Sequence, residues 1–262
     1  MPRLFLICAA LAFLSPSLGQ ENRPSSQYVL KVLRVRAEKG EAVAQFVLGY
    51  RHERGDGVPQ DYAAAARWYR KAADQEYAMA QISLGQLYDL GQGVPQDYAE
   101  AARWFRNAAD HGELGAQSIL GMRYEEGKGV PQNHNEAARW YRKAADQGSA
   151  DGQWLLGTMY NSGQGVTLDY AEAARWYRRA AEQGDIRGQR SICIMYYRGL
   201  GVPQDYVQAH KWINLAAASL SGDDQSKAAL LRDEISAEMT PDQISEAQRL
   251  AREWKPKQYP RR

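Results

Sequence analysis

Cysteine is nearly absent: Cys8 and Cys193 are the only two in 262 residues, which excludes a fold stapled by several disulfides. Net charge is almost absent as well, with 33 basic residues against 31 acidic ones. Nucleic-acid binders carry a concentrated basic excess, so no nucleic-acid partner is expected. Phenylalanine is scarce, four residues against sixteen tyrosines and seven tryptophans, and aromatics with a polar handle suit thin cores where one ring edge stays wet. Long apolar runs are missing beyond the first one. Leu4–Leu14 is too short to span a bilayer comfortably and nothing later is longer, so no membrane span is expected.

That first run does not belong to the fold. Arg3 supplies a short basic region, the apolar stretch follows, and Ser15-Pro16-Ser17-Leu18-Gly19 ends on small residues. Residues 1–19 therefore read as a secretory signal cleaved after Gly19, which places the protein in the periplasm or outside the cell. Cleavage removes Cys8 and leaves Cys193 alone, so the mature monomer has no internal disulfide.

What the chain has in abundance is a repeat. Trp68, Trp104, Trp140, Trp176 and Trp212 are each 36 residues apart, and Gly57, Gly93, Gly129, Gly165 and Gly201 keep the same step. Gly55, Gly91, Gly127, Gly163 and Gly199 form a third series, and Gln45, Gln81, Gln117, Gln153 and Gln189 a fourth. Such a period marks a solenoid, with units at 40–75, 76–111, 112–147, 148–183 and 184–219. Each unit reads as helix, loop, helix. In the second helix Ala101, Trp104, Phe105 and Ala108 form one apolar stripe. Asp97 with Glu100 reads as a capping box, repeated by Asn133 with Glu136 and by Asp169 with Glu172. Gly112, Gly148 and Gly184 suit the left-handed position that ends this helix, and Glu76 is the exception. In the connecting loop Val94 is a buried anchor and Pro95 stiffens the entry to the second helix. Thr167-Leu168 replaces Pro-Gln in the fourth unit, which predicts a softer loop there.

Both ends look closed. Residues 20–39 contain a linker and a half-repeat over Tyr28–Lys39, with Val32 in the tryptophan slot and Ala37 in an alanine slot. Residues 220–255 read as two capping helices, Asp224–Glu238 and Pro241–Trp254, the second with Thr240 as N-cap. Polar-faced ends are expected because each internal unit buries apolar surface against its neighbour. The basic tail 256–262 is expected to be disordered.

The pattern Ala-Gln-x-x-Leu-Gly-x-x-Tyr, Gly-x-Gly-Val-Pro-Gln-Asp-Tyr, Ala-Ala-x-Trp-Tyr-x-x-Ala-Ala-x-Gln-Gly resembles the Sel-1-like repeat family, itself related to tetratricopeptide repeats. The resemblance covers about 40–219, and Met239-Thr240-Pro241-Asp242-Gln243-Ile244 in the cap is similar as well. It implies an all-α fold, a right-handed α/α superhelical solenoid whose first helices line the concave side. It also implies an adaptor or regulator, in bacteria often exported. A cysteine-rich subset is associated with penicillin binding or hydrolysis, but this chain lacks that subset's paired cysteines.

No residue set reads as catalytic, and no cofactor or metal is expected. The histidines stand in different units at different slots: His52 and His134 replace tyrosines, His210 replaces an alanine, and His111 ends a helix. Cys193 takes the slot of Gly49, Gly85, Gly121 and Gly157 and reads as a small buried thiol. Arg103, Arg106, Arg139, Arg142, Arg175 and Arg178 suggest an anion ladder, but Glu100–Arg103 and Arg106–Asp110 are helical pairs that neutralise it.

Comparison between units points instead to a surface on the first helices. The slots at 0, 3, 7 and 10 residues beyond position 43 vary freely, whereas stacking slots are constrained by an identical neighbour. Large residues in variable slots suggest contact with another protein: Phe46, Tyr50, Met79, Ile82, Met122, Trp154, Arg187, Arg190 and Tyr197. The surface is expected to be apolar in the first units and more basic near Arg187 and Arg190. The bland alternative is that Phe46, Ile82 and Trp154 contact adjacent first helices. The expected activity is that of an exported protein-binding scaffold, with an envelope, sensor or secretion component as partner. Glycan or peptidoglycan binding through exposed tyrosine and tryptophan is the alternative, ahead of an exported penicillin-interacting hydrolase.

Overall fold

The computed structural model describes residues 26–257, so the expected signal at 1–19 and the start of the linker lie outside the described residues. Every regular element in that range is a helix. A lone α1 (Ser26–Glu38) is followed by five pairs. The pairs are α2 (Ala42–Arg54) with α3 (Tyr62–Ala73), α4 (Ala78–Leu90) with α5 (Tyr98–Asp110), and α6 (Leu114–Glu126) with α7 (His134–Asp146). After these come α8 (Ala150–Ser162) with α9 (Tyr170–Glu182), α10 (Ile186–Arg198) with α11 (Tyr206–Ala217), and then α12 (Gly222–Ala237) and α13 (Pro241–Glu253). From α1 to α11 each helix packs on the one before it and the one after it, and α12 and α13 both pack on α11, the contact map of a capped solenoid.

Two glycines shape every loop, for different reasons. Gly55, Gly91, Gly127, Gly163 and Gly199 end the first helices at φ between 67 and 73°, where an L-residue is strained. The second glycine is a matter of space. A Cβ on Gly93, Gly129, Gly165 or Gly201 would overlap the backbone of Tyr62, Tyr98, His134 or Tyr170, the opening residue of the preceding unit's second helix. At Gly57 no such backbone exists, and the nearest atom would be Arg51 Nη1 at 3.4 Å. The loop glutamines close the turn: Gln60, Gln96 and Gln132 each donate to a first-helix carbonyl at 2.9 Å, and Gln204 does so at 2.8 Å. Leu168 occupies that slot in the fourth unit and has no amide to donate. The anchor valine is fully buried only as Val58, and Val94 is half-buried.

The N-caps form as expected, but the reciprocal half of the capping box does not. Asp97 accepts from the N–H groups of Ala99 and Glu100, while its own N–H is already taken by the Tyr88 carbonyl at 3.0 Å. The same loop-to-helix bond occupies Asn133 and Asp169. Glu100 is thereby released, and it accepts from Trp104 Nε1 and from Arg103, both at 2.9 Å. Only Thr240, which follows no such loop, builds the complete box, with Gln243.

Stacking between units rests on tryptophans and glutamines. Trp104, Trp140 and Trp176 are buried against alanines of the second helix before them, Ala65 and Ala66, Ala108 and Ala109, and Ala137 and Ala138. Gln45, Gln81, Gln117 and Gln153 are buried and donate to the carbonyls of Ala37, Ala73, Ala109 and Ala145. Their side-chain oxygens accept from the glutamine that ends the second helix, Gln75 to Gln45 at 2.7 Å and Gln183 to Gln153 at 2.8 Å. In the second unit that residue is His111. Its Nδ1 lies 2.7 Å from the Asn107 carbonyl, and Gln81 Oε1 is left buried without a partner. His111→Gln restores the bond and should raise stability by about 1 kcal/mol, read as a rise in Tm of roughly 2–4 °C.

The left-handed helix ends are as expected, with Glu76 at φ 62° the only non-glycine residue of positive φ among the described residues. At the C-terminal end α12 and α13 cover α11, and Trp254 meets Trp212 edge-on at 6.3 Å. The tail is ordered further than expected. The Lys257 N–H donates to the Glu182 carbonyl at 2.7 Å and its ammonium lies 3.1 Å from the Glu182 carboxylate, while 258–262 lie outside the described residues. At the other end, the expectation of a polar outer face fails. Ala37 is buried under Gln45 as the half-repeat requires, but Val32 and Val35 are exposed.

Candidate interaction surface on the first helices

First helices of neighbouring units touch directly, α6 with α8 and α8 with α10, which sets α2, α4, α6, α8 and α10 along the tighter, inner side of the stack. The surface expected from the sequence lies on these helices, and the structure sorts its nine residues into three groups.

The first group is core. Phe46 is 7% exposed and meets the rings of Tyr69 and Tyr77 at 5.6 and 5.3 Å. It varies between units because Tyr77, at the start of the next unit, covers it. Tyr50 is half-buried on the same cluster. Tyr197 is tied to the cap, its hydroxyl donating to Glu234 at 2.8 Å.

The second group bridges units and still presents an edge to solvent. Ile82 is half-buried on the cluster of Ala108, Leu120 and Trp140, and Met122 on that of Tyr141 and Leu156. Trp154 donates through Nε1 to Ser191 Oγ at 3.2 Å, and the Arg187 guanidinium lies over its ring at 4.4 Å. The bland alternative therefore holds for part of this set. Arg187 does not make the surface basic, because Asp151, one repeat back in its own slot, and Asp185 both pair with it at 2.8 Å. Burial works against its charge, but those hydrogen bonds hold its pKa above the ordinary arginine value. Arg190 faces Asp224 at 3.9 Å. The expected basic end is thus electrically balanced.

The third group is exposed. Met79 is 41% exposed and shares its slot with exposed Val43 one unit earlier. Ile194 is exposed on α10, and Leu90 is exposed at the end of α4. Leu90 is not among the expected residues, although its slot is polar in the other four units (Arg54, Glu126, Ser162, Arg198), a contrast that marks it.

In the first three units the slot ten residues on is not a free surface. The Tyr69 hydroxyl donates to Glu53 at 2.5 Å and the Tyr141 hydroxyl to Glu125 at 2.7 Å, burial and the carboxylates together raising both phenol pKa values. Phe105 takes the tyrosine slot in the second unit and has no hydroxyl, so Asp89 turns to Arg123 at 3.1 Å. On the second helices Glu100–Arg103, Glu136–Arg139 and Glu172–Arg175 pair as expected, at 2.9, 2.6 and 2.7 Å. Arg106 does not reach Asp110. Instead Arg70, Arg106, Arg142 and Arg178 bind the hydroxyls of Tyr88, Tyr124, Tyr160 and Tyr196 in the next unit and lie over those rings. A half-buried phenol across the unit boundary offers a drier acceptor than a carboxylate facing water.

Among the described residues no three of His, Cys, Asp and Glu are grouped so that they could hold a metal ion, and no helix is long and apolar enough to cross a membrane. Burial pushes the Cys193 thiol up to about 12, which keeps it protonated. His210 is buried beside Asn214 at 3.1 Å, with its pKa lowered chiefly by burial.

A stack of helix pairs with a varied inner face defines the class: a helical-repeat solenoid. The chain belongs to the Sel1 repeat family, whose model matches residues 42–77, 78–113, 115–149, 150–185 and 186–219. Among solved structures it is similar to c5321 of uropathogenic Escherichia coli, a protective antigen with an SLR fold, at 39% identity and a TM-score of 0.76 over 86% of this chain. It spans about half the length of that protein, 48%. It is also similar to a Sel1 repeat protein from Oxalobacter formigenes, at 29% identity and a TM-score of 0.75, over 88% of this chain and 95% of that one. No curated protein matches it.

Proposed function

We propose that this protein is an exported scaffold that holds another protein against the inner face of its first helices, without catalysing a reaction. The observation that carries the reading is the exposure of Val43, Met79, Leu90 and Ile194 on the first helices of the first, second and fifth units, in slots that stacking leaves free, together with the Trp154–Arg187 stack between the fourth and fifth units. Exposed apolar side chains, a half-buried tryptophan and an oriented arginine on one set of helices are the composition of an interface. Sel1-repeat solenoids generally serve protein–protein interaction, which supports the same reading. Export rests on the signal read at residues 1–19, and the envelope or secretion machinery is the expected setting of the partner.

Trp154→Ala would disturb packing and contact together, so the exposed positions make the better test. A photo-crosslinking residue at 79 or 194, in intact cells, is expected to trap one discrete partner, and the same residue at Arg139 on the outer face is not. Ile194→Glu should then weaken trapping at position 79 about tenfold or more while leaving Tm within about 2 °C. Equal adducts at 139, or none at 79 and 194, would overturn the reading. Glycan binding has a narrower support, the exposed rings of Tyr98 and Tyr170 on the loop edge. It predicts retention on peptidoglycan that Tyr98→Ala with Tyr170→Ala abolishes.

A further inference from the structure

The boundary between the fifth unit and the cap is built differently from those between units, and it is left open. Although no glycine loop follows α12, that helix keeps the 36-residue register of a further first helix, beginning at Gly222 where α10 begins at Ile186. Two contacts with α10 show the same register. Tyr197–Glu234 and Arg190–Asp224 have the sequence separations of Trp154–Ser191 and Arg123–Asp89 between internal first helices. Within that register the groups that close the other boundaries are exchanged. Asn214 stands in the slot of Arg70, Arg106, Arg142 and Arg178, and Arg232 in the slot of the tyrosines they bind, Tyr88, Tyr124, Tyr160 and Tyr196. Gln225 stands in the slot of the buried stacking glutamines but is exposed, and Ala218 replaces the acid of Asp74, Asp110, Asp146 and Glu182. Where a phenol ring and a guanidinium fill the internal boundaries, a groove of about 420 Å³ opens here, lined by Asn214, Ala217, Ala218, Gln225, Ala229 and Arg232.

Its chemistry is one-sided. Arg232 is the one ionisable residue of that lining, with two amides near it and alanine methyls for the rest. Asp233 approaches the Arg232 guanidinium at 3.2 Å, but it is the next residue in the chain, 68% exposed and outside the lining. An exposed pair of that kind holds an arginine loosely. Behind the wall His210 is buried, its Nδ1 3.1 Å from Asn214 Nδ2, and its pKa is lowered by burial and then by the Arg232 charge. The neutral imidazole leaves the guanidinium uncompensated, and Asn214 keeps a second N–H after serving the ring. We infer that this groove binds a small organic carboxylate with a flat apolar body, the acid pairing with Arg232 and the body lying on Ala217, Ala218 and Ala229. Asn214 and Gln225 donate to the same acid. A guanidinium offers a planar carboxylate two parallel donors, and the volume falls within the range of small-molecule sites, about 300–1,000 Å³. A free acid and the C-terminal residue of a peptide share this chemistry. The groove uses no residue of the inner face, so it stands apart from the scaffold reading.

In an NMR titration of the purified, isotope-labelled protein, phenylacetate should bind saturably with a Kd of about 1 mM, the strength expected of roughly ten well-placed non-hydrogen atoms. The shifts should centre on residues 210–218 and 225–232. Phenylacetamide, of the same shape without the charge, should bind at least about tenfold more weakly. The Arg232 side chain is 38% exposed, so Arg232→Gln should lose the same factor with Tm unchanged within about 2 °C. Asn214→Arg/Arg232→Tyr installs the internal pair and should abolish binding without lowering Tm. N-Acetylphenylalanine separates the sources, since tighter binding than phenylacetate points to a peptide C-terminus and weaker binding to a free acid. No saturable shift below about 20 mM phenylacetate, equal binding of the amide, or undiminished binding by Arg232→Gln overturns the inference.

Discussion

Gly129→Ala is expected to disrupt the middle of the solenoid, whereas Gly57→Ala, the same change at the same slot, leaves it folded. Both glycines have positive φ, 77 and 73°, so each substitution pays the left-handed strain of an L-residue, about 1–2 kcal/mol. They differ in what lies beyond. The new methyl at 129 would overlap the Tyr98 carbonyl, which is backbone and anchored as the first residue of α5, so the loop and the helix would have to separate. Overpacking of that kind adds roughly 1–3 kcal/mol, for a total of about 2–5 kcal/mol. At 57 the methyl would meet only the far end of the Arg51 side chain, which can swing away. Urea titration of the two variants separates the effects. Equal losses would mean that the glycines are needed for φ alone and that the loops do not rest on the preceding unit.

The two glycines also mark how far the amino-acid sequence alone is legible. A 36-residue period in Trp, Gly and Gln fixes the number of units, the helix pairs and the loop positions, because stacking identical neighbours forces identical solutions at the contact. It does not say which atoms satisfy which. The capping glutamate of Asp97-x-x-Glu100 is a local signature, but the N–H it should reach is bound by Tyr88, nine residues back across the loop. Arg106 has an ideal i+4 acid in Asp110, yet the tyrosine of the next unit lies within its reach and is better shielded from water. Variability is a sound guide to the inner face but an incomplete one. Phe46 varies because Tyr77 varies with it, and the slot of Glu53 varies because the buried tyrosine it serves is a phenylalanine in the second unit. Paired changes of this kind keep a slot structural while it looks free. The residues that survive the test, Met79 and Leu90, have no such counterpart among the described residues.

Trp176→Ala should be the most damaging of the tryptophan truncations, and it should divide the molecule rather than weaken it evenly. Trp176 is about 1% exposed and joins Ala137, Ala138 and Tyr141 of the third unit to Leu156 and Met159 of the fourth. Removing a side chain of this size from a closed site costs about 3–5 kcal/mol. Trp68 is only half-buried, packed on the small cluster of Ala37, Ala44 and Leu48, so Trp68→Ala should cost roughly half as much. In a solenoid each unit is stabilised by its nearest neighbours, and a deficit at one boundary uncouples the two sides. Hydrogen exchange should therefore show α10–α13 opening together at a lower urea concentration than α2–α5 in Trp176→Ala, and together with them in the wild type. The indole nitrogen refines the case, since Trp176 Nε1 is buried without an acceptor where Trp104 Nε1 has Glu100. Trp176→Phe loses some volume but also that orphaned donor, and should cost less than about 1.5 kcal/mol. A loss near that of alanine would show that the indole shape, and not the burial of an aromatic ring, holds the third and fourth units together. Because α6 and α8 touch on the inner face, the boundary that Trp176 closes from the outer side also sets the spacing of Met122 and Trp154 there. Uncoupling it should impair partner binding in proportion to the fraction of open boundary, even though Trp176 lies on a second helix.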